Sequence, residues 1–322
     1  MKFLIQFLRV FVGLSFVSSG FLKMIDPLGT SYKLEEYFNP SVLDLELLVP
    51  YALLIGIILI LVETVLGVFL LIGFKSKWTI WGLFLMISLF LFLTWYSAYY
   101  NKVTDCGCFG DAIKLTPWET FYKNVVLFVM IVFLGLKSSK IFNLFNKSIT
   151  KWIAFLVIPF SLYFMYYTLL SLPIIDFRPY KIGANIEEGM KLKEGEYIPA
   201  IHDFILESEV NGDLTSTILK EEKVLLILIY DLQKSDLMSF DKIKKVTDSA
   251  LSENYKVYGV SASLPEDFSG IKDQYQLNFE FLFNDGTTIK TMIRANPGLM
   301  VLNKGIVVDK RNWTDADKLV LN

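Results

Sequence analysis

The chain has 322 residues, of which 53% are hydrophobic and 20% charged, and its formal net charge is −2. That length holds about two domains, the composition is too apolar for an ordinary soluble protein, and nothing in the charge points to nucleic acid. A single histidine, His202, argues against a histidine-built metal centre, and no metal is expected.

Five apolar runs approach or exceed the roughly 18 to 20 residues that cross a bilayer as helix. They are Leu4 to Phe21, Pro50 to Gly73, Trp78 to Tyr96, Phe121 to Leu136 and Trp152 to Leu172. The fourth is the shortest, and its start can be placed nearer Trp118. Pro159 predicts a kink in the fifth, which a membrane helix tolerates. Lys2 and the small residues of "SSG" imitate a signal peptide around the first run. Arg9 interrupts its apolar core, however, and four more spans follow, so it reads as an uncleaved first helix.

The short loops orient these spans. Lys75 and Lys77 lie between spans two and three, and Lys137, Lys140, Lys147 and Lys151 between spans four and five. The positive-inside rule makes both loops cytoplasmic. The first loop offsets Lys23 and Lys33 with Asp26, Glu35, Glu36, Asp44 and Glu46, and the third mixes Lys102 and Lys114 with Asp105 and Asp111, so both are expected outside. Five spans then put the N-terminus in the cytoplasm and everything after about Leu172 on the outer side. Trp95, Tyr96, Tyr99 and Tyr100 read as an interfacial aromatic belt.

After a charged, glycine-containing connector at Phe177 to Glu196, the composition becomes that of a soluble α/β domain. "VLLILIYDL" (Val224 to Leu232) reads as a buried central strand. A helix over Ser235 to Leu251 and the strand "YKVYGVSAS" (Tyr255 to Ser263) follow, and Pro265 opens a second helix. The strand "FEFLF" (Phe279 to Phe283), a short helix near Thr287 to Arg294, and the strands "GLMVLN" and "GIVVDK" around an "NKG" turn complete a mixed sheet before a final helix. His202 reads as structural.

Both cysteines, Cys106 and Cys108, fall in the third loop within "TDCGCFGDAI". Thiols on the oxidising side of a bacterial-type inner membrane do not stay as inert packing, so a disulfide or a redox couple is expected. A bond across one residue closes a small ring outside the comfortable disulfide geometry and is easily reduced, and Gly107 gives the backbone freedom it needs. The functional reading is a labile, exchanging pair. A static clip, or two reduced thiols without chemistry, is the other reading and stays open. Metal binding is disfavoured because two cysteines leave the ligand shell incomplete.

Arg9 in span one and Glu63 in span two each cost about 2.5 to 3.5 kcal/mol at the bilayer centre. Both are expected to turn inward and to meet, either fixing helix packing or lining a proton or quinone pocket. Asn124, near the start of span four, is a further inward polar group.

Span one with Arg9, "SSGFLKMIDP" (Ser18 to Pro27) and "LVETVLGVFLLIG" (Leu61 to Gly73) resemble the DoxX and MauE group of membrane proteins. The "CGCFG" of Cys106 to Gly110, followed by a helix carrying Asn124, resembles the MauE branch in particular. The resemblance covers residues 1–136 and implies a four-helix bundle associated with extracytoplasmic redox chemistry, disulfide formation in the MauE branch and quinone-coupled thiol oxidation in DoxX-like proteins. Cys106 and Cys108 would be the redox pair, and Arg9, Lys23, Glu63 and Asn124 the polar framework. Residues 137–176 would add a cytoplasmic loop and a fifth transmembrane helix outside the basic bundle.

Residues 197–322 resemble the thioredoxin fold in its TlpA-like and peroxiredoxin-like branch. "IPAIHDFILESEVNGDL" (Ile198 to Leu214) matches that branch's first strand and hairpin, and "RANPGLMVLNKG" (Arg294 to Gly305) its cis-proline segment, with Pro297 as the proline. Where an active thioredoxin carries its cysteines, this chain reads "YDLQKSDLM" (Tyr230 to Met238), so thiol exchange cannot run there. The resemblance implies a binding module in which Asn296 and Pro297 hold a partner, by strand addition.

Two functions follow. One is an inner-membrane protein of envelope thiol–disulfide chemistry, in which Cys106 and Cys108 exchange with a client or partner protein and pass electrons to quinone. The other is a non-enzymatic membrane subunit or scaffold of a larger envelope complex. Transport is disfavoured, because the bundle has few inward charges and no visible inverted repeat.

Overall fold

A computed structural model describes residues 1–103, 110–112, 115–192 and 198–321. The chain forms two compact units, Met1–Leu169 and Leu170–Asn322.

The first unit is helical. Helix α1 (Lys2–Ile25) runs into a short α2 (Pro27–Phe38), then a 3-10 turn (Glu46–Tyr51) leads into α3 (Ala52–Ile72). Helices α4 (Ser76–Tyr100), α5 (Pro117–Leu136) and α6 (Lys147–Leu170) follow. Among the described residues, five helices are long and apolar enough to cross a membrane: α1, α3 with its leading turn, α4, α5 and α6. Each falls on an expected apolar run. The fourth begins at Pro117, where Thr116 and Glu119 form a reciprocal capping box. Pro159 lies inside α6 without ending it.

The element that hydropathy does not announce is α2. Asp26 caps it, accepting a hydrogen bond from Gly29 N at 2.9 Å, and Pro27 occupies its first position. It buries Leu34, Tyr37 and Phe38 against Val42, Ala52 and Val103.

Helix α1 packs against α3 and α5, and α4 packs against the same two. The α1–α3 crossing is close because small residues line it: a Cβ on Gly67 would lie 2.9 Å from the Val17 backbone nitrogen, and one on Gly20 would collide with Thr64 Oγ1. The bundle core joins Ile5, Val12, Phe16, Leu70, Leu83, Ile87, Ile131 and Leu134. Met165 of α6 packs on Met24 and Ile60, and Thr168 Oγ1 donates to the Met24 carbonyl at 3.1 Å.

Among the described residues, the second unit is a seven-stranded mixed sheet with short helices. A four-residue α7 (Ile186–Gly189) precedes β1 (Glu207–Ser208), β2 (Gly212–Asp213) and α8 (Thr215–Lys220). Then come β3 (Val224–Ile229), α9 (Ser239–Ser252), β4 (Lys256–Ser261), α10 (Ser269–Tyr275), β5 (Glu280–Phe283), α11 (Gly286–Met292), β6 (Gly298–Asn303) and β7 (Ile306–Asn312). The strand order is β2-β1-β5-β4-β3-β6-β7, with β3 parallel to β4, β4 parallel to β5, and β6 antiparallel to both β3 and β7. All six residues of β3 are buried, as a continuous apolar run requires when both faces are covered. Leu226 and Leu228 join one core with Val260 and Met300, whereas Leu225, Ile227 and Ile229 join another with Phe240, Phe281 and Leu299. The expected final helix is a 3-10 segment, Trp313–Lys318.

The stretch expected as a connector is built into this unit where it is described. Gly183 N donates to Val307 O at 2.8 Å, Val307 N to Ala184 O at 2.9 Å, and Ile186 N to Gly305 O at 2.8 Å, so residues 183–186 line the outer edge of β7. Such cover blunts a sheet edge that would otherwise offer unpaired backbone groups.

Candidate functional site

The close α1–α3 crossing brings the last turn of α1 beside the middle of α3. Lys23 Nζ reaches Glu63 Oε2 at 2.9 Å, Glu63 Oε1 at 3.1 Å and Ser19 Oγ at 2.8 Å. Lys23 and Glu63 are only 7% and 2% exposed. Lys23 therefore belongs to a helix and not to the first loop, whose charge balance it entered in the reading of orientation. The ammonium also lies 5.5 Å from the centre of the Phe90 ring, a cation–π distance.

This pair lines a cavity of about 200 Å³ whose walls come from α1, α3, α4 and α5. Phe16, Ile87, Phe90 and Leu127 make its apolar surface, and Lys123 and Asn124 its polar wall on α5. Asn124 is buried, and its Nδ2 donates to Thr94 Oγ1 at 3.4 Å. Exposed Phe11 and Val126 line the same cavity from α1 and α5. The arrangement suits an apolar molecule carrying hydrogen-bond acceptors. Lys123 and Ser19 were not singled out in the sequence. Ser19 lies one helical turn before Lys23, the spacing that puts two side chains on one face.

Arg9 does not meet Glu63, contrary to expectation. Its Nε donates to Leu70 O at 2.8 Å, Nη2 to Leu71 O at 2.5 Å, and Nη1 to Phe142 O at 3.0 Å and Gln6 Oε1 at 2.9 Å. The reason is register. In antiparallel α1 and α3, Gly13 faces Leu71 and Gly20 faces Thr64, so position 9 meets the C-terminus of α3. Lys23, 14 residues further on, stands about 21 Å away along the axis. Arg9 thus caps the carbonyl end of α3, where the helix dipole favours a cation. The helix ends at Gly73, which has φ +77 and leaves no room for a Cβ beside Phe142 O.

Cys106 and Cys108 lie outside the described residues. Their described flanks rest on the bundle. Val103 is fully buried against α2 and the start of α3. On the other flank, Gly110 begins a 3-10 turn, Gly110–Ala112, and a Cβ on it would lie 3.9 Å from Leu22 O, the residue before Lys23.

In the second unit, the peptide bond between Asn296 and Pro297 is cis. Asn296 is engaged within the chain: its Nδ2 donates to Asp231 O at 2.6 Å, and its Oδ1 accepts from Asp231 N at 3.4 Å. Pro297 is buried. The loop from Tyr230 to Met238 is tied to the Asn296 turn by these bonds. His202 is half-exposed and pairs with its neighbour Asp203 at 2.9 Å.

A buried charge cluster that sequence reasoning missed lies at β7. Lys310 Nζ donates to Asp176 Oδ2 at 2.8 Å and to Tyr180 O at 3.0 Å, while Arg178 Nε donates to Asp176 Oδ1 at 2.8 Å. Burial pushes Lys310 down to about 7, helped by the Arg178 charge and opposed by Asp176. Burial also works against the Asp176 carboxylate, but Lys310 and Arg178 outweigh it and hold the group at about 2. The carboxylate gains two cations, whereas Lys310 loses its hydration to burial and shares its one anion with Arg178. Burial and then the Asp203 charge raise the Tyr180 hydroxyl.

Among the described residues, no group of three or more histidine, cysteine or acidic side chains is arranged to hold a metal. No curated protein and no solved structure matches the chain. Residues 1–137, the stretch from α1 through α5 that carries the Lys23–Glu63 cavity, match the family described as Methylamine utilisation protein MauE, so this part of the chain is similar to that membrane family, as its cysteine and helix motifs led us to expect.

Proposed function

We propose that the protein is an inner-membrane component of extracytoplasmic thiol–disulfide chemistry, in which Cys106 and Cys108 cycle between dithiol and disulfide and exchange with an envelope protein. The observation that carries this reading is the seating of the cysteine segment's flanks. Val103 is buried in the bundle and Gly110 lies against Leu22, next to the lysine whose ion pair lines the cavity. Oxidation of two thiols to a disulfide releases two electrons and two protons. A membrane quinone accepts both and becomes a quinol, and the apolar cavity with its donors on α1 and α5 suits such a ring. The lysines of the α3–α4 and α5–α6 connections favour the orientation with the N-terminus in the cytoplasm and the second unit outside.

The second unit fits this role as a docking module of thioredoxin-like type. Its parallel β3, β4 and β5, antiparallel β6 and β7, and proline turn before β6 support that kinship. No cysteine follows β3, so the module carries no thiol chemistry of its own. One observation favours the scaffold reading: Asn296 is bonded internally and Pro297 is buried, so partner capture at this turn needs the Asp231 contacts to open.

Thiol trapping in intact cells tests the redox reading. Cys106 and Cys108 are expected to become reduced when quinone is depleted, and a single-cysteine variant to accumulate a mixed disulfide with its client. Invariant redox state under quinone depletion, together with an unchanged phenotype in the double Cys→Ser variant, refutes it and leaves the scaffold.

A further inference from the structure

Lys23 has three N–H groups, and three acceptors surround it: both oxygens of Glu63 and Ser19 Oγ. The ammonium is thereby fully satisfied. Both carboxylate oxygens of Glu63 in turn take their hydrogen bonds from Lys23. As packing, this arrangement is hard to justify, because a buried ion pair is often replaceable by apolar side chains of similar volume without loss. Nor is it sealed, since both residues line the cavity and share that surface with Lys123 and Asn124. A charged pair facing open space inside a bilayer can exchange a proton with whatever enters.

We propose that Lys23 and Glu63 are the proton-handling pair of the thiol oxidation described above, an inference that rests on that reading. The quinone gains two electrons from the thiols and needs two protons on its oxygens. Lys23 supplies a proton to a quinone oxygen and is left as a neutral amine beside the Glu63 carboxylate. That state leaves a lone negative charge in the bilayer interior, which is strongly disfavoured. The pair therefore reloads from the protons that the two thiols release. After two such transfers the products are one disulfide and one quinol, and the pair is unchanged. Glu63 acts through Lys23, holding the amine toward the cavity and making reloading favourable. The titratable side chains at the cavity are Lys23 from α1, Glu63 from α3 and Lys123 from α5, while α4 supplies only Ile87 and Phe90.

The test uses the full chain in lipid nanodiscs, reduced at Cys106 and Cys108, with decyl-ubiquinone as oxidant and maleimide trapping as the readout between pH 5.5 and 8.5. Lys23→Arg keeps the charge and the carboxylate partner but cannot release a proton, and the adjoining cavity accommodates its extra length. The expected result is thiol oxidation slowed roughly 100-fold with its pH dependence flattened, the loss typical of removing a general acid or base, while thermal stability stays near that of the parent. Lys23→Met with Glu63→Leu should fold and be equally slow, which keeps the proposal open to refutation even where the arginine variant does not fold. Oxidation by either folded variant at the parental rate and pH profile overturns the proposal and leaves the redox reading standing. A parent protein that quinone never oxidises overturns both.

Discussion

Replacing Arg9 with methionine separates a structural charge from a functional one. The guanidinium bonds three backbone carbonyls, those of Leu70, Leu71 and Phe142. Leu70 O also accepts from Gly73 N at 3.2 Å, so it keeps a partner in the variant. Leu71 O and Phe142 O lose a charge-assisted donor each, at about 1.5 to 3 kcal/mol apiece. Methionine recovers part of this through its apolar contacts, so the net loss should be about 3 kcal/mol. Arg9→Lys keeps the charge but not the planar fork that spans three acceptors, and is expected to lose roughly half as much. Thermal unfolding of the purified protein in detergent measures the loss. Limited proteolysis near Phe142 reports whether the α5–α6 loop is freed, because what then holds it is the Leu144 N bond to Ile72 O at 2.9 Å and the burial of Ile141 in the bundle core. A methionine variant within about 0.5 kcal/mol of the parent, the low end of what even one hydrogen bond contributes, refutes the capping role. So does a variant that is stable yet fails to oxidise its thiols, for Arg9 would then belong to the chemistry.

Two further outcomes are expected. Gly67→Leu should separate α1 from α3, because even a Cβ comes within 2.9 Å of the Val17 backbone; a loss of several kcal/mol in unfolding, with exposure of Lys23 to amine-reactive reagents, is the expected readout, and a fully stable variant contradicts the crossing. The charge cluster at β7 predicts a two-sided pH response. The folded-state pKa of Asp176, about 2 against an unfolded value of 3.8, lies below it, so its contribution is present above pH 4 and is lost as pH falls toward 2. At full size that is about 2 kcal/mol. Lys310, at about 7 against 10.5, sheds its proton in the folded state first, so stability should rise with pH from 7 to about 10. Hydrogen exchange of β7 amides in the full chain, corrected for intrinsic rates, should show both limbs, and Lys310→Met should abolish the alkaline one and shrink the acid one, because Lys310 also holds the Asp176 carboxylate down.

The parts of the fold that were legible share a physical signature. Apolar runs of membrane length announced α1, α3, α4, α5 and α6, and the all-buried β3 announced the centre of the sheet. Helix α2 escaped because its 12 residues are too polar and short for hydropathy; its signals were the Asp26 cap and Pro27, which belong to helix starts and not to spans. The segment from Phe177 read as a linker because it is rich in charge and glycine, yet Tyr180 and Lys310 are partners across 130 positions of sequence. No local pattern reveals such a pair. The same holds for Lys23 and Glu63, whose meeting depends on how closely Gly20 and Gly67 let two helices approach.

Three sets of buried charge in this chain look alike in composition and differ in what surrounds them. Arg9 spends its donors on backbone carbonyls at a helix end, and Lys310 and Arg178 spend theirs on one carboxylate and a carbonyl at a sheet edge. In both places the bonded donors are held by the fold, although Arg178 Nη1 is buried without a partner among the described residues, and changing either charge should be felt as stability. Lys23 and Glu63 are equally buried and equally well bonded, but the space beside them is a cavity walled by phenylalanine, isoleucine and leucine. Open volume next to a proton-bearing group is what separates a site from a staple. On that ground the proton chemistry we propose for the bundle is assigned to the α1–α3 pair and not to the arginine that was expected beside it.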